Sequence, residues 1–166
     1  MKFKITIATL LLSFLGIAQG IKNNGAKIVT TGAAQVYIDG GSAGDYLSQA
    51  GGQINPGPGL IWIMEGDWSN NSANTGFGND NGTVVLNGTN ENIGGSTSTT
   101  FYNLTLQNAS TKTQLINTSV GGVTTRTGIL SVGPSVFDLN SFTLTVTNPA
   151  ITAVTYGGGY VLSETN

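Results

Sequence analysis

Apolar and polar positions alternate along this chain in short bursts. Between Gly82 and Leu106 the sequence reads G-T-V-V-L-N-G, then I-G-G, then T-T-F-Y-N-L-T-L, so that Val84, Leu86, Phe101, Leu104 and Leu106 are parted by Asn-Gly and Gly-Gly pairs. A period of two interrupted by turn residues predicts strand, turn, strand, and leaves no room for an amphipathic helix. The same pattern predicts strands over residues 27–31, 35–39, 60–64, 83–87, 101–107, 113–117, 128–132, 136–139, 142–147 and 160–163, nearly all bounded by Gly, Asn, Asp or Pro. Residues 60–64 (L-I-W-I-M) alternate least, which fits a strand buried on both faces or a short core segment.

Many short strands at close spacing fit two architectures. Val84 to Leu104 is 20 positions, and equal steps reach Thr124 and Leu144. Such steps lie within the lengths of solenoid repeats. The expected fold is therefore all-β, a right-handed parallel β-solenoid (β-helix) of short strands, with an antiparallel β-sandwich as the alternative. In a solenoid each coil buries inward Val, Ile, Leu and Phe against its neighbours, and the ends need caps. The last coil shows no such cap in its sequence.

Composition agrees with strands. Charged residues are 8% of the chain, against about 25% in an average soluble domain, and polarity comes from Asn, Thr and Ser instead. Disorder is disfavoured, because 39% of the residues are hydrophobic and the net charge is only −2.

Residues 1–20 have another character. Lys2 and Lys4 precede an apolar run from Ile5 to Ile17, followed by the small residues of Ala18-Gln19-Gly20. That layout is a secretory signal peptide, cleaved after Ala18 or Gly20, with a run too short to span a bilayer comfortably. Residues 21–166 form the expected β-solenoid-like repeat region, which is not membrane-spanning once the signal is removed. No cysteine is present, so neither a lipid-anchored lipoprotein nor a disulfide is available, and the exported domain must be held by burial and backbone hydrogen bonds. Lys22, Lys27, Lys112 and Arg126 then stand against eight acidic residues, a net charge of about −4. Four scattered cations make no basic patch, which excludes nucleic acid as the expected partner.

The blocks Gly66-Asp-Trp-Ser-Asn-Asn71, Gly82-Thr-Val-Val-Leu-Asn-Gly88, Ile93-Gly-Gly95 and Thr100-Phe-Tyr-Asn-Leu-Thr-Leu106 resemble, in order, a known group. They look like the repetitive N-terminal β regions of large secreted surface proteins of gliding-type Gram-negative bacteria, many exported by the type IX secretion system. The resemblance continues through Gly128-Ile-Leu130, Leu139-Asn140 and Leu144 to Gly159-Tyr-Val-Leu-Ser-Glu164. It implies a cell-surface or extracellular location, a fragment of a longer chain, and neighbouring domains of the same protein as partners. In that group further β domains and a C-terminal sorting domain follow such blocks.

Candidate chemistry is sparse. Histidine and cysteine are both absent, which removes the usual neutral-pH general base, thiol nucleophiles and zinc or copper ligands. No cofactor, metal or catalytic residue is expected. Glu65 and Asp67 are the closest acids in sequence, and on a strand they would share a face as paired carboxylates do in glycoside hydrolysis, although solvated turn residues are the simpler reading. Asn79-Asp-Asn-Gly82 and Asp39-Gly-Gly-Ser-Ala-Gly-Asp45 are oxygen-rich but lack the spaced acids of a calcium loop. The aromatic residues supply the one binding hypothesis. Trp62 and Phe101 sit in strong strand patterns and are expected inside, whereas Trp68 and Tyr102 form the expected exposed pair, a platform on which a sugar ring could stack. The expected function is a structural or adhesin-type segment without catalytic activity. The alternatives are a carbohydrate-binding module, with extracellular polysaccharide as partner, and a fragment of a polysaccharide-degrading β-helix enzyme.

Overall fold

The computed structural model describes residues 20–57, 61–77 and 80–163. The signal-peptide expectation therefore falls, save for Gly20, outside the described residues. The chain winds as a parallel β-solenoid of about six turns. The first turn comprises β1 (Ile21–Asn24), β2 (Lys27–Val29) and β3 (Gln35–Ile38), and the second β4 (Tyr46–Gln49), β5 (Gln53–Asn55) and β6 (Ile61–Met64). The third has β7 (Trp68–Asn71), the single bridging residue Phe77, and β8 (Thr83–Leu86). The fourth has β9 (Asn92–Gly95), β10 (Thr99–Phe101) and β11 (Asn103–Leu106), and the fifth β12 (Thr111–Gln114), β13 (Thr118–Val120) and β14 (Leu130–Val132). The sixth has β15 (Val136–Asp138), β16 (Leu144–Val146) and β17 (Val154–Tyr156), after which β18 (Tyr160–Leu162) opens another.

Three walls result. The first is the seven-stranded ladder β1-β4-β7-β9-β12-β15-β18, the second carries β2-β5 and then β10-β13-β16, and the third is β3-β6-β8-β11-β14-β17. Every ladder is parallel, which excludes the antiparallel sandwich. At about 4.8 Å between neighbouring strands, six turns extend roughly 30 Å along the axis.

The turns differ in length, and this corrects the equal 20-residue repeat. Val84 pairs with Leu104, 20 positions on, but Leu104 pairs with Leu130, 26 positions on. Thr124 lies in a loop and Leu144 belongs to the second wall, opposite Thr118. Strand register is fixed by inward side chains, because a one-residue slip would turn them all outward. Extra residues must therefore leave the wall as loops.

The core is a continuous column. Trp62, Met64, Val84, Leu86, Leu104, Leu106, Leu130 and Val132 point in from the third wall, meeting Tyr46, Trp68, Ile93 and Phe137 from the first and Ile54, Phe77, Phe101 and Val120 from the second. Each such burial stabilises by about 1.5–3 kcal/mol. Inside the early turns the rings form one stack: Trp68 lies 4.5 Å from Tyr46, 5.6 Å from Phe77 with nearly parallel planes, and 5.1 Å from Phe101.

Several strands have no apolar signature, because their inward positions are polar. Asn23, Ser48 and Asn70 stack in register in β1, β4 and β7, and all three are buried. Their side chains bind backbone at the corner that follows: Asn23 accepts from the Ala26 N–H and donates to the Ala26 carbonyl, both at 2.9 Å, and Asn70 donates to the Asn74 carbonyl at 2.9 Å. Buried corners leave backbone groups that need such partners, which accounts for much of the asparagine. Ile93-Gly-Gly95, expected as a turn, is strand β9. Gly95 has φ 115° and its backbone packs against that of Asn70, so a side chain there would collide. The expected strand over 101–107 is broken at Tyr102 into β10 and β11, and the one expected over 113–117 runs instead from Thr111 to Gln114.

Candidate functional site

The structure separates the two residues expected to form a sugar platform. Trp68 is fully buried, in register with Tyr46 and Ile93, and its indole N–H donates to Thr99 Oγ1 at 3.0 Å. It is therefore a core residue and offers no face to a ligand. Tyr102 is half-buried at a corner of the fourth turn, its hydroxyl 2.9 Å from Thr127 Oγ1. Trp62 and Phe101 are inside, as their patterns indicate.

The carboxylates are structural partners. Glu65 and Asp67 lie in the bend between β6 and β7 rather than on a strand. Glu65 accepts from the Tyr37 hydroxyl at 2.6 Å and from the Gly41 N–H at 3.2 Å. The Tyr37 hydrogen bond, then that of Gly41, hold its carboxyl below the ordinary value, while the same contact raises the Tyr37 phenol. Asp45 accepts from the Asp67 N–H at 2.8 Å, and Asp67 from the Asn92 N–H at 2.7 Å. Asp45 and Asp67 thus each secure the equivalent backbone position of the next turn, whereas Glu65 reaches back to the preceding one. Among the described residues no three His, Cys, Asp or Glu are grouped to hold a metal.

Two charged arrangements have partners that the sequence pattern does not reveal. Lys112 and Glu91 are both buried and form an ion pair at 2.5 Å, and the ammonium also donates to the Gly88 carbonyl and to Ser110 Oγ, the latter at 3.0 Å. Burial pushes the Glu91 carboxyl up, only partly offset by Lys112. The second is Asp80, whose carboxylate accepts from three consecutive N–H groups, Val123 at 2.6 Å, Thr124 at 2.5 Å and Thr125 at 2.6 Å. Burial alone would raise its carboxyl, but those three donors outweigh it and hold it below the ordinary range. Of the expected oxygen-rich loop, Asn79 lies outside the described residues. Asp80 is engaged by the chain itself.

All connections from the second wall to the third lie along one corner, and they vary most there. The fourth turn crosses with Tyr102 alone, whereas the fifth uses residues 121–129 and the sixth 147–153. The long fifth loop folds back over the short fourth turn to reach Asp80 in the third. Gly122 and Gly128 pack close to the Tyr102 ring, each leaving only 3.0 Å between a would-be Cβ and Tyr102 Cδ2. The fifth and sixth loops are joined at their bases, where Thr147 Oγ1 donates to the Gly122 carbonyl and Asn148 Nδ2 to the Gly128 carbonyl, both at 2.9 Å. Beyond these bonds they enclose an open cleft of about 600 Å³, which includes Arg126, Thr127, Asn148 and Pro149.

No protein-family model matches this chain, and no curated protein or solved structure is significantly similar to it. In repeat proteins, insertions gathered on one edge commonly form the contact surface. Here that edge carries hydroxyls, an amide and the chain's single arginine.

Proposed function

We propose that this chain is a secreted, adhesin-type structural segment of a Gram-negative surface protein, in which the solenoid acts as a spacer and its loop-bearing corner makes contacts. The observation that carries the proposal is the division of labour in the fold. Three walls of parallel strands and a buried apolar column make a rod, and turn length varies most at one corner. The secretory layout of residues 1–20 and the resemblance to type IX-associated surface proteins support the location, with neighbouring domains of the same protein as partners. No helix among the described residues is long and apolar enough to cross a membrane. Expression with residues 1–20 in a Gram-negative host tests the proposal. The expected result is an exported protein with a new N terminus at Gln19 or Ile21. Retention in the cytoplasm with Met1 to Gly20 intact would overturn it.

A further inference from the structure

The geometry points to the cleft between the fifth and sixth loops as a binding site for a carboxylated polysaccharide, a chain containing uronic acid residues, with Arg126 as the carboxylate-binding group. Three observations converge on it. Arg126 is exposed, forms no ion pair among the described residues, and has φ 50°, a left-handed conformation that costs a non-glycine residue energy. The loop that imposes this conformation is held rigidly. Asp80 fixes its ascending side through three N–H groups, and the Gly128 N–H closes its base on the Gly121 carbonyl at 3.1 Å. The guanidinium is therefore presented by a loop already ordered before any ligand arrives, which lowers the entropic cost of binding.

The rest of the cleft suits a sugar. Thr125, Thr127 and Thr147 line it with hydroxyls, Thr127 Oγ1 donating to Thr125 Oγ1 at 3.4 Å and held from behind by Tyr102 Oη at 2.9 Å, a residue outside the cleft lining. The sixth loop contributes Pro149 and Ala150 as an apolar surface opposite. A carboxylate takes the planar fork of an arginine bidentately, hydroxyls meet hydroxyls, and the apolar face of a pyranose ring lies on the proline side. The cleft is open to solvent instead of closed around a single residue, which leaves room for a polymer. Asp80, in the connection of the third turn, is already occupied by backbone donors and does not compete for Arg126. The assignment rests on the adhesin reading for location only.

Affinity electrophoresis of the whole protein in native gels containing polygalacturonate tests it, with neutral dextran and dextran sulfate gels as the other arms. Retardation by polygalacturonate and not by neutral dextran is expected. Arg126→Asn, which tolerates the left-handed backbone and removes the charge, is expected to weaken the apparent Kd by roughly ten- to a hundredfold. Arg126→Lys keeps the charge and loses the fork, and should fall between the two. Equal retardation of wild type and Arg126→Asn, retardation by dextran sulfate alone, or none in polygalacturonate would each overturn the assignment. Those outcomes leave an exported scaffold intact, whereas cytoplasmic retention removes the adhesin reading without touching binding measured on purified protein.

Discussion

Replacing Lys112 with methionine tests how the polar part of the core is held. Lys112 and Glu91 are each at most 1% exposed, so the substitution leaves a carboxylate inside the rod with no counter-charge. Removing one partner of a buried pair costs about 3–5 kcal/mol. The Gly88 carbonyl adds little, since Ser110 Oγ still donates to it at 3.1 Å. At this chain length the loss corresponds to a fall in Tm of roughly 10–20 °C, read by far-UV circular dichroism on heating. The sign with pH is also fixed. Glu91 has a raised carboxyl in the folded state, and losing Lys112 raises it further, so the variant's deficit grows as pH rises through the wild type's own raised folded value and shrinks below it, where both proteins hold Glu91 protonated. The double variant Glu91→Leu with Lys112→Met removes both charges and should lie within about 2 kcal/mol of the wild type, on either side. A single variant that melts within a few degrees of the wild type at neutral pH, or a double variant worse than the single, would refute the reasoning.

Other variants probe the column, the clasp and the edge. Trp68→Ala should cost about 3–5 kcal/mol in urea unfolding, whereas an exposed platform residue would cost almost nothing. Asp80→Asn should cost about 1 kcal/mol at neutral pH, little because the site is open to solvent. The wild-type advantage is full above the ordinary value of 3.8 and is lost as pH falls through the lower folded value, so the two proteins converge in acid. Gly122→Ala, at φ 88° and 2.7 Å from Asp80 Oδ1, should loosen the fifth loop and speed amide hydrogen exchange at residues 123–125 with little change in Tm. Among the edge strands, β16 and β17 carry no charge, while β1 and β2 carry Lys22 and Lys27. Thr145→Lys on exposed β16 should therefore reduce self-association in light scattering, as charges on edge strands generally do.

The sequence exposed those walls whose inward residues are apolar. Val84 with Leu86, and Leu104 with Leu106, alternate as a half-buried strand must, and both pairs are core. Strands whose inward residues are Asn23, Ser48 or Asn70 were hidden, and the one carrying Lys112 and Gln114 was displaced to 113–117, since a hydrophobic period cannot register a buried polar position. Trp68 was misplaced for a related reason. Its burial follows from stacking on Tyr46, a register that no local pattern displays. The contact between Asp80 and Thr125 spans 45 positions and depends on how short the fourth turn is, which emerges only when the coils are aligned in space.

Under tension a stack of coils behaves as a zipper. Pulling on one end peels turns away singly, because each is held only by its immediate neighbours. The Asp80 clasp breaks that rule, since it ties the third turn to the fifth across the fourth. A force that reaches this point must open the fifth loop and the fourth turn together, so extension should proceed in single-turn steps of unequal length and then stall at one larger event. A pull from the N-terminal side meets that catch before it reaches the arginine cleft, so from that side the cleft opens only after the clasp has given way.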